Sequence, residues 1–172
     1  VHTQLSFIAA EDLRFYTHQG VDYYRILGAL RNNLINGSIS EGASTITQQL
    51  AKLTHLSSER TIRRKLEEIS LAFQIEKAYS KDEILEFYLN TVYFGRGAYG
   101  IQAASQAYFG VNASDLSLSQ SASLAAIIKA PSVYAPHINP QSNKTRRLYI
   151  LDTMLEKGKV GFNVGDGWYF AS

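Results

Sequence analysis

The 172-residue chain contains no cysteine, a single methionine and a single tryptophan. Without cysteine, disulfide scaffolds, thiol catalysis and cysteine-ligated zinc sites are all excluded. No apolar run approaches the roughly 18 residues that a membrane-spanning helix needs. The sequence also lacks a fixed-period repeat and a convincing alternation of apolar and polar residues, so neither a solenoid nor a sheet is expected.

Several catalytic signatures are missing too. The chain has no GxSxG elbow, no HExxH pair and no Walker loop, which sets aside the enzymes that depend on them. It has no SxxK together with SDN and KTG, so a β-lactam-reactive serine module is absent. The N-terminus shows neither an initiator methionine nor a signal-peptide pattern, and we expect the chain to be an excised domain.

The composition is that of one globular domain with a core, because 45% of the residues are hydrophobic. The net charge of +2 is too small to indicate a nucleic-acid partner, and none is expected. Cationic residues nevertheless cluster in two places, which favours a discrete anionic ligand. These residues are Lys52, Arg60, Arg63, Arg64 and Lys65 in the first cluster, and Lys144, Arg146 and Arg147 in the second.

Helical spacing of apolar residues, with glycines and capping residues between, predicts an all-α fold. Ser80 with Glu83 and Ser117 with Gln120 have the spacing of capping boxes, and the dipeptide Asn139-Pro140 is typical of a helix start. The prolines at 131 and 136 predict an extended connection. The predicted helices cover about 5–18, 22–36, 45–53, 58–79, 81–90, 101–108, 118–130 and 140–158.

The acidic pair Glu11-Asp12 directly follows an apolar run, Phe7 to Ala10. A carboxylate beside apolar surface loses hydration, so its pKa rises and it becomes a better base. If the helix continues to residue 18, Glu11 shares a face with Phe15 and His18. The alternative is a solvated acid that pairs with Arg14 or His18.

A second group of polar residues surrounds a helix start, and free N–H groups at such a start favour anions. Capping alone accounts for Ser44 and Thr45. Gln48 and Lys52 share a helix face and indicate hydrogen bonding to a sugar or a phosphate. The whole stretch runs from Gly42 to Lys52.

Arg60, Arg64 and Glu68 lie at four-residue offsets on the long predicted helix and form one stripe. On a solvated face such pairs contribute only a few tenths of a kcal/mol. The stripe turns apolar at Ala72 and Ile75, so it should run beneath protein or ligand. Guanidinium groups placed in this way suit a phosphate.

Two further stretches have a plainer interpretation. The spacing of residues 81–90, which are followed by glycines at 95, 97 and 100, predicts mainly core packing. Tyr88 is predicted to belong to that core. The pair Arg146-Arg147 reads as the basic face of the last helix.

Together these stretches resemble the glycosyltransferase domain of class A penicillin-binding proteins and monofunctional peptidoglycan glycosyltransferases, glycosyltransferase family 51. Five motifs occur in the family's order. They are EDxxFxxHxG at Glu11 to Gly20, GxSTITQQ at Gly42 to Gln49, RKxxE at Arg64 to Glu68, KxxILxxYLN at Lys81 to Asn90, and RRxxxL at Arg146 to Leu151.

The resemblance implies a mainly helical, lysozyme-like head with a smaller, membrane-facing jaw near residues 22–58. It implies that Glu11 is the base and Glu68 a second essential acid, which orients the arginines or holds Mg²⁺ or Mn²⁺. The remaining implied positions contact substrate. They are Lys52, Arg60 and Arg64 for phosphate, Ser44, Thr45, Gln48 and Gln49 in the donor cleft, and Asp12, Phe15 and His18 in the first motif.

The implied reaction is polymerisation of lipid II at the outer face of the bacterial cytoplasmic membrane. The 4-hydroxyl of one sugar attacks C1 of another with inversion, forms a β-1,4 bond and releases undecaprenyl diphosphate. The implied partners are lipid II, the growing glycan and the membrane surface, with a transpeptidase domain or other cell-wall proteins possible in a parent protein.

Two departures from the family pattern stand out: Leu53 occupies a position that is often Asn, and residues 158–172 do not look like the usual continuation. We therefore expect a catalytic domain over 1–157 and a tail or linker stub over 158–172. Two other functions stay open at this point, a muramidase-type hydrolase and a catalytically inactive lipid II-binding module.

Overall fold

The structure, a computed structural model, describes residues 1–36, 44–55, 61–158, 162–164 and 167–169. For residues 30–36, 55, 162–164 and 167–169 only the backbone is described. The described part is mainly helical, which confirms the predicted all-α class. Its helices are α1 (His2–Glu11), α2 (Tyr23–Asn36), α3 (Ile46–His55), α4 (Ile62–Ala78), α5 (Lys81–Thr91), α6 (Ile101–Phe109), α7 (Leu118–Ile127), α8 (Pro131–Tyr134) and α9 (Pro140–Gly158).

Two sets of helices share one core. Helix α7 packs between α1 and α9, and α3 packs against α4 and α5. Phe7 of α1 meets Phe94 edge to face with 5.9 Å between ring centroids, and both side chains are fully buried. Each such buried side chain contributes about 1.5–3 kcal/mol relative to exposure.

Helix α3 belongs to this core, because Ile46, Leu50 and Ala51 are buried in the same cluster as α1 and α5. Helix α3, which the prediction assigned to the jaw, therefore packs into the core of the head. Part of that predicted jaw, residues 37–43 and 56–60, lies outside the described residues. In the described part of the chain, no helix combines the length and apolar character needed to cross a bilayer.

Side-chain caps fix several helix starts as predicted. Ser80 and Glu83 form a reciprocal capping box at α5, and Ser117 and Gln120 form another at α7. At α9 the Ser142 N–H donates to the Asn139 side chain over 3.0 Å. The connection after α7 was predicted to be extended, but Pro131 opens the short helix α8 there. Proline is suited to the first position of a helix, because the N–H that it lacks has no partner within the helix at that position.

Helix α1 ends at Glu11, seven residues before the predicted end at His18. Asp12 leaves the helix with φ −156° and ψ 75°, and a separate 3₁₀ turn covers Phe15–Thr17. The prediction that Glu11 shares a helix face with Phe15 and His18 is therefore wrong.

The C-terminal stretch holds a pair of short strands that the sequence did not predict. Strands β1 (Phe162–Val164) and β2 (Gly167–Tyr169) pair antiparallel, with Phe162 opposite Tyr169. Three-residue strands are too short for alternation to be visible in a sequence. The domain boundary at residue 157 stays a prediction.

Candidate active site

The Glu11 side chain extends from the last turn of α1 into a cavity while its helix anchors it in the core. Phe7 and Ile8 of the same helix are buried, and the Glu11 side chain is 15% exposed. Burial raises the pKa of Glu11, and the Gln49 hydrogen bond and the Arg146, Arg25 and Lys129 charges only partly oppose it. A carboxylate held in this way is a stronger base than one in water.

Three helices supply the groups that hold Glu11. Gln49 of α3 donates from Nε2 to Glu11 Oε2 over 3.0 Å. Arg146 of α9 places Nη2 3.5 Å from Oε1, and Arg25 of α2 donates to the Glu11 main-chain carbonyl. The alternative pairing with Arg14 or His18 does not occur, because Arg14 binds Asp22 and His18 binds Asp12.

Cavities of about 410 and 630 Å³ lie against Glu11. Ala10, Glu11, Arg25 and Tyr149 line both of them, so the carboxylate stands where the two meet. The smaller cavity extends toward Leu13, Asp22 and Tyr24, and the larger toward Gln49, Lys129 and Arg146. Positive charge predominates in the larger cavity, where Arg25, Lys129 and Arg146 face one acid, Glu11. That cavity suits an anionic substrate.

Asp12 is buried and joins α1 to α3. Its Oδ2 accepts from the Ile46 N–H over 3.0 Å and lies 2.9 Å from His18 Nε2. Phe15 is fully buried and meets the His18 ring edge to face. The structure therefore places Phe15 and His18, which the resemblance assigns to substrate, in the interior. Asp12, also assigned to substrate, is buried but borders the smaller cavity.

The polar residues at the start of α3 bond both to one another and to distant parts of the chain. Thr45 and Gln48 bond reciprocally in a capping arrangement, with Thr45 N–H donating to Gln48 Oε1 and Gln48 N–H to Thr45 Oγ1. Thr45 Oγ1 also donates to the Gly20 carbonyl over 2.6 Å. Ser44 accepts from Lys65 over 2.9 Å. Of the four predicted cleft residues, Gln49 is the one that the structure bonds to Glu11.

Gly20 allows the chain to pass closely over α4 before it reaches this site. Its φ is +86°, and a Cβ there would lie 3.2 Å from the Ala72 backbone. Any other residue would be strained in conformation and crowded by a helix backbone that cannot move easily.

Glu68 is buried on α4 and holds two cationic side chains. Its Oε2 accepts from Arg64 Nη2 over 3.2 Å, and its Oε1 accepts from Lys65. The predicted stripe runs beneath protein, since Glu68, Ala72 and Ile75 are all buried. Within the described part of the chain, Arg64 Nε and Nη1 are buried and without a partner. Such donors fit an anion.

The structure describes one of the two other predicted phosphate ligands. Lys52 is exposed on α3, and Arg60 lies outside the described residues.

Glu68 does not fit a divalent metal in this arrangement. Both of its oxygens accept from cationic groups, and the positive charges of Arg64 and Lys65 would repel a divalent ion. Among the described residues, no group of three acidic or histidine side chains could enclose an ion.

Several residues that line the cavities were not predicted as site residues, namely Arg25, Lys129, Tyr24 and Tyr149. Arg146 was predicted as part of a cationic cluster and of the RRxxxL match, but not as a neighbour of Glu11. Arg25 and Lys129 carry no local signal, because each is an isolated cation that the fold brings to Glu11.

The family model described as "Transglycosylase" matches residues 2–155. Penicillin-binding protein 1A of Neisseria gonorrhoeae is 52% identical over 153 residues, which cover 89% of this chain and 19% of that protein. Penicillin-binding protein 1F of Bacillus subtilis (strain 168) is 49% identical over 155 residues, covering 90% of this chain and 22% of that protein. The chain belongs to the transglycosylase family, the peptidoglycan glycosyltransferases of family 51.

These comparisons confirm the resemblance on which the sequence interpretation rests, together with the class of enzyme, a peptidoglycan glycosyltransferase. The chain spans about a fifth of the length of the curated relatives that it matches.

Proposed function

We propose that this domain polymerises lipid II into glycan strands, with Glu11 as the general base. The observation that carries the proposal is the desolvated Glu11 carboxylate, fixed by Gln49 and surrounded by Arg25, Lys129 and Arg146. A base of raised pKa and a cationic cavity are what transfer of a sugar from a diphosphate requires.

In the proposed reaction, Glu11 removes the proton from the 4-hydroxyl of the acceptor N-acetylglucosamine. That oxygen forms a bond to C1 of the donor N-acetylmuramic acid on the face opposite the leaving group. The bond from C1 to the diphosphate oxygen breaks, and its electron pair leaves with undecaprenyl diphosphate. The anomeric carbon inverts, and a β-1,4 linkage results.

Arg64 is the proposed partner of the leaving diphosphate, with Lys52 and Arg60 assisting. The support for Arg64 is its two buried donors, Nε and Nη1, for which the described residues offer no acceptor. Glu68 orients this guanidinium through Nη2 and leaves the other two nitrogens for the ligand. We assign Asp12, Phe15 and His18 to positioning α3 behind the site.

A requirement for Mg²⁺ or Mn²⁺ rests on the family resemblance alone and stays a prediction. Glu68, the predicted ligand, is already paired with Arg64 and Lys65. A bound divalent ion would supply positive charge to the departing diphosphate. Titration of activity with Mg²⁺ after removal of metals by chelation tests the requirement directly.

The membrane surface is the proposed place of action, at the outer face of the cytoplasmic membrane, because a lipid-linked substrate resides there. Exposed apolar side chains at the start of α2 support this placement, with Tyr23 62% and Leu27 64% exposed. A transpeptidase domain or other cell-wall proteins as partners in a parent protein stay predictions of the resemblance.

The identity of the product separates this proposal from the two other functions. The chain should convert labelled lipid II in detergent into a polymer that a muramidase digests, and it should release no soluble fragments from cell-wall sacculi. Release of such fragments would indicate a hydrolase. Binding of lipid II without polymer would indicate an inactive binding module.

A further inference from the structure

A chain of two hydrogen bonds ends on Glu11. Tyr88 of α5 is fully buried, and its hydroxyl donates to Gln49 Oε1 over 3.0 Å. Gln49 Nε2 in turn donates to Glu11 Oε2 over 3.0 Å. The sequence interpretation had assigned Tyr88 to core packing alone, and its ring does pack in the core.

The amide of a glutamine can present either its oxygen or its nitrogen to a neighbour, so its orientation depends on its partners. With a hydroxyl donating to Oε1, Nε2 faces Glu11, which is the arrangement that an ionised carboxylate needs. Burial raises the pKa of Tyr88 well above the ordinary value, so its hydroxyl keeps the proton that it donates.

We propose that Tyr88 is a positioning residue for the base: its hydroxyl fixes the Gln49 amide so that Nε2 holds Glu11 Oε2. The other oxygen, Oε1, which lies 3.5 Å from Arg146 Nη2, takes the proton. This proposal rests on the proposed function of Glu11. Tyr88 does not touch the reacting atoms and acts only through Gln49.

The proposal has a consequence for the titration of Glu11. Among the described residues, the charged and polar groups that face this carboxyl include Arg25 from α2, Gln49 from α3 and Lys129 beyond α7. Arg146 and Tyr149 face it from α9. The Gln49 bond lowers the pKa of Glu11 against the larger effect of burial. When Tyr88 no longer holds the amide, that bond weakens and the pKa of Glu11 rises further.

The test compares the wild type with Tyr88→Phe, which removes the hydroxyl and keeps the ring. The acid limb of the pH profile of kcat/KM should move up by about half a pH unit or more, which lowers kcat/KM about threefold on that limb. Tyr108→Phe is the matched control. It removes a hydroxyl that donates to the Phe94 carbonyl over 2.8 Å, and its acid limb should stay in place.

Gln49→Leu breaks the same chain at its middle. Its acid limb should move at least as far, and adding Tyr88→Phe to Gln49→Leu should move it no further. An acid limb that stays in place in folded Tyr88→Phe overturns the proposal. The proposal is also overturned if Tyr88→Phe shifts the acid limb equally in the wild type and in Gln49→Leu. If Tyr88→Phe does not fold, an unmoved limb in Gln49→Leu overturns it.

The Glu11 titration can also be followed without substrate, from the carboxyl carbon chemical shift in the 172-residue chain. A shifted titration in Tyr88→Phe supports the positioning role even if the wild type makes no polymer. An active, Glu11-dependent wild type with an unshifted titration in Tyr88→Phe rejects the positioning role and leaves the proposed function standing.

Discussion

Glu11 occupies a site that favours its protonated form. Burial has the largest effect on its pKa, and the three nearby cations and the Gln49 amide do not fully compensate. Above its raised pKa the ionised side chain therefore destabilises the folded state. Active sites often carry such a cost, because the same desolvation makes the group a better base.

This cost predicts that Glu11→Gln is more stable than the wild type at pH 7. Because the folded pKa lies above the unfolded value of 4.5, the folded state binds more protons between the two, and its stability falls as pH rises through that window. Glutamine cannot ionise, so its melting temperature should exceed that of the wild type at pH 7.

The difference in melting temperature should shrink below pH 4.5, where the carboxyl is protonated in both states. Glu67→Gln, at an α4 side chain that is 49% exposed, should show no comparable trend. A Glu11→Gln protein that melts lower than the wild type at pH 7 but not at pH 4 would contradict the account, because the carboxylate would then stabilise the fold.

At the level of single residues, the sequence identifies Glu11 and Glu68 correctly as acids in unusual surroundings. It assigns no special surroundings to Arg25 or Lys129, and it does not place Arg146 beside Glu11. The apolar run before Glu11 and the helical offset between Arg64 and Glu68 are visible in the local sequence. The contact of Arg146 with Glu11 is not, because Arg146 lies 135 residues away along the chain although its Nη2 is 3.5 Å from the carboxylate.

At the scale of elements, Asp12 joins the end of α1 to the start of α3. It accepts the N–H of the first α3 residue, Ile46, and contacts His18, and it is 1% exposed. This junction holds Gln49, one turn into α3, beside Glu11. Helix α1 ends where it does because Asp12 bonds to α3, and a pattern of apolar residues cannot reveal such a tertiary contact.

The junction predicts that Asp12→Ala destabilises the fold strongly. Loss of the carboxylate leaves the Ile46 N–H and His18 buried without that partner, at a cost of about 2–4 kcal/mol in the free energy of unfolding. Urea denaturation measures it. Asp152→Ala, on an exposed position of α9, should change the free energy of unfolding by less than about 0.5 kcal/mol.

If Asp12→Ala unfolds at the same urea concentration as the wild type and only raises KM for lipid II, Asp12 contacts substrate as the resemblance implies. The structural assignment would then be wrong.

The helices themselves were largely predictable. The capping boxes at α5 and α7 and the Asn139 cap of α9 lie where the sequence places them, because caps are local. The short helix α8 and the paired strands β1 and β2 were not predicted, because segments of three or four residues show no periodicity.

At the scale of the whole molecule, the site exists only when the chain is folded. Glu11, Gln49, Tyr88 and Arg146 come from α1, α3, α5 and α9, and the shared core of those helices holds them within hydrogen-bond reach. The five sequence motifs mark the pieces of this site. How they meet around two cavities could not be read from their order.

The placement at a membrane predicts that the exposed apolar side chains of α2 contribute to lipid binding. Tyr23→Ser combined with Leu27→Ser should bind phosphatidylglycerol vesicles roughly tenfold more weakly than the wild type, as loss of about 1.4 kcal/mol requires. Leu118→Ser, at a 44% exposed position on α7, serves as the control and should bind as the wild type does.

Vesicle cosedimentation gives both values. Equal binding by the wild type and the α2 variant, with a shared melting temperature, would show that this face of α2 does not meet the membrane.

The central claim is that Glu11 is the base for glycosyl transfer. The most direct test is the initial rate of lipid II polymerisation by the wild type, Glu11→Gln and Glu67→Gln in the same detergent. We expect Glu11→Gln to lose about 100-fold or more of the rate while it stays folded, and Glu67→Gln to match the wild type. A Glu11→Gln protein that polymerises lipid II at close to the wild-type rate would contradict the account and place the base elsewhere.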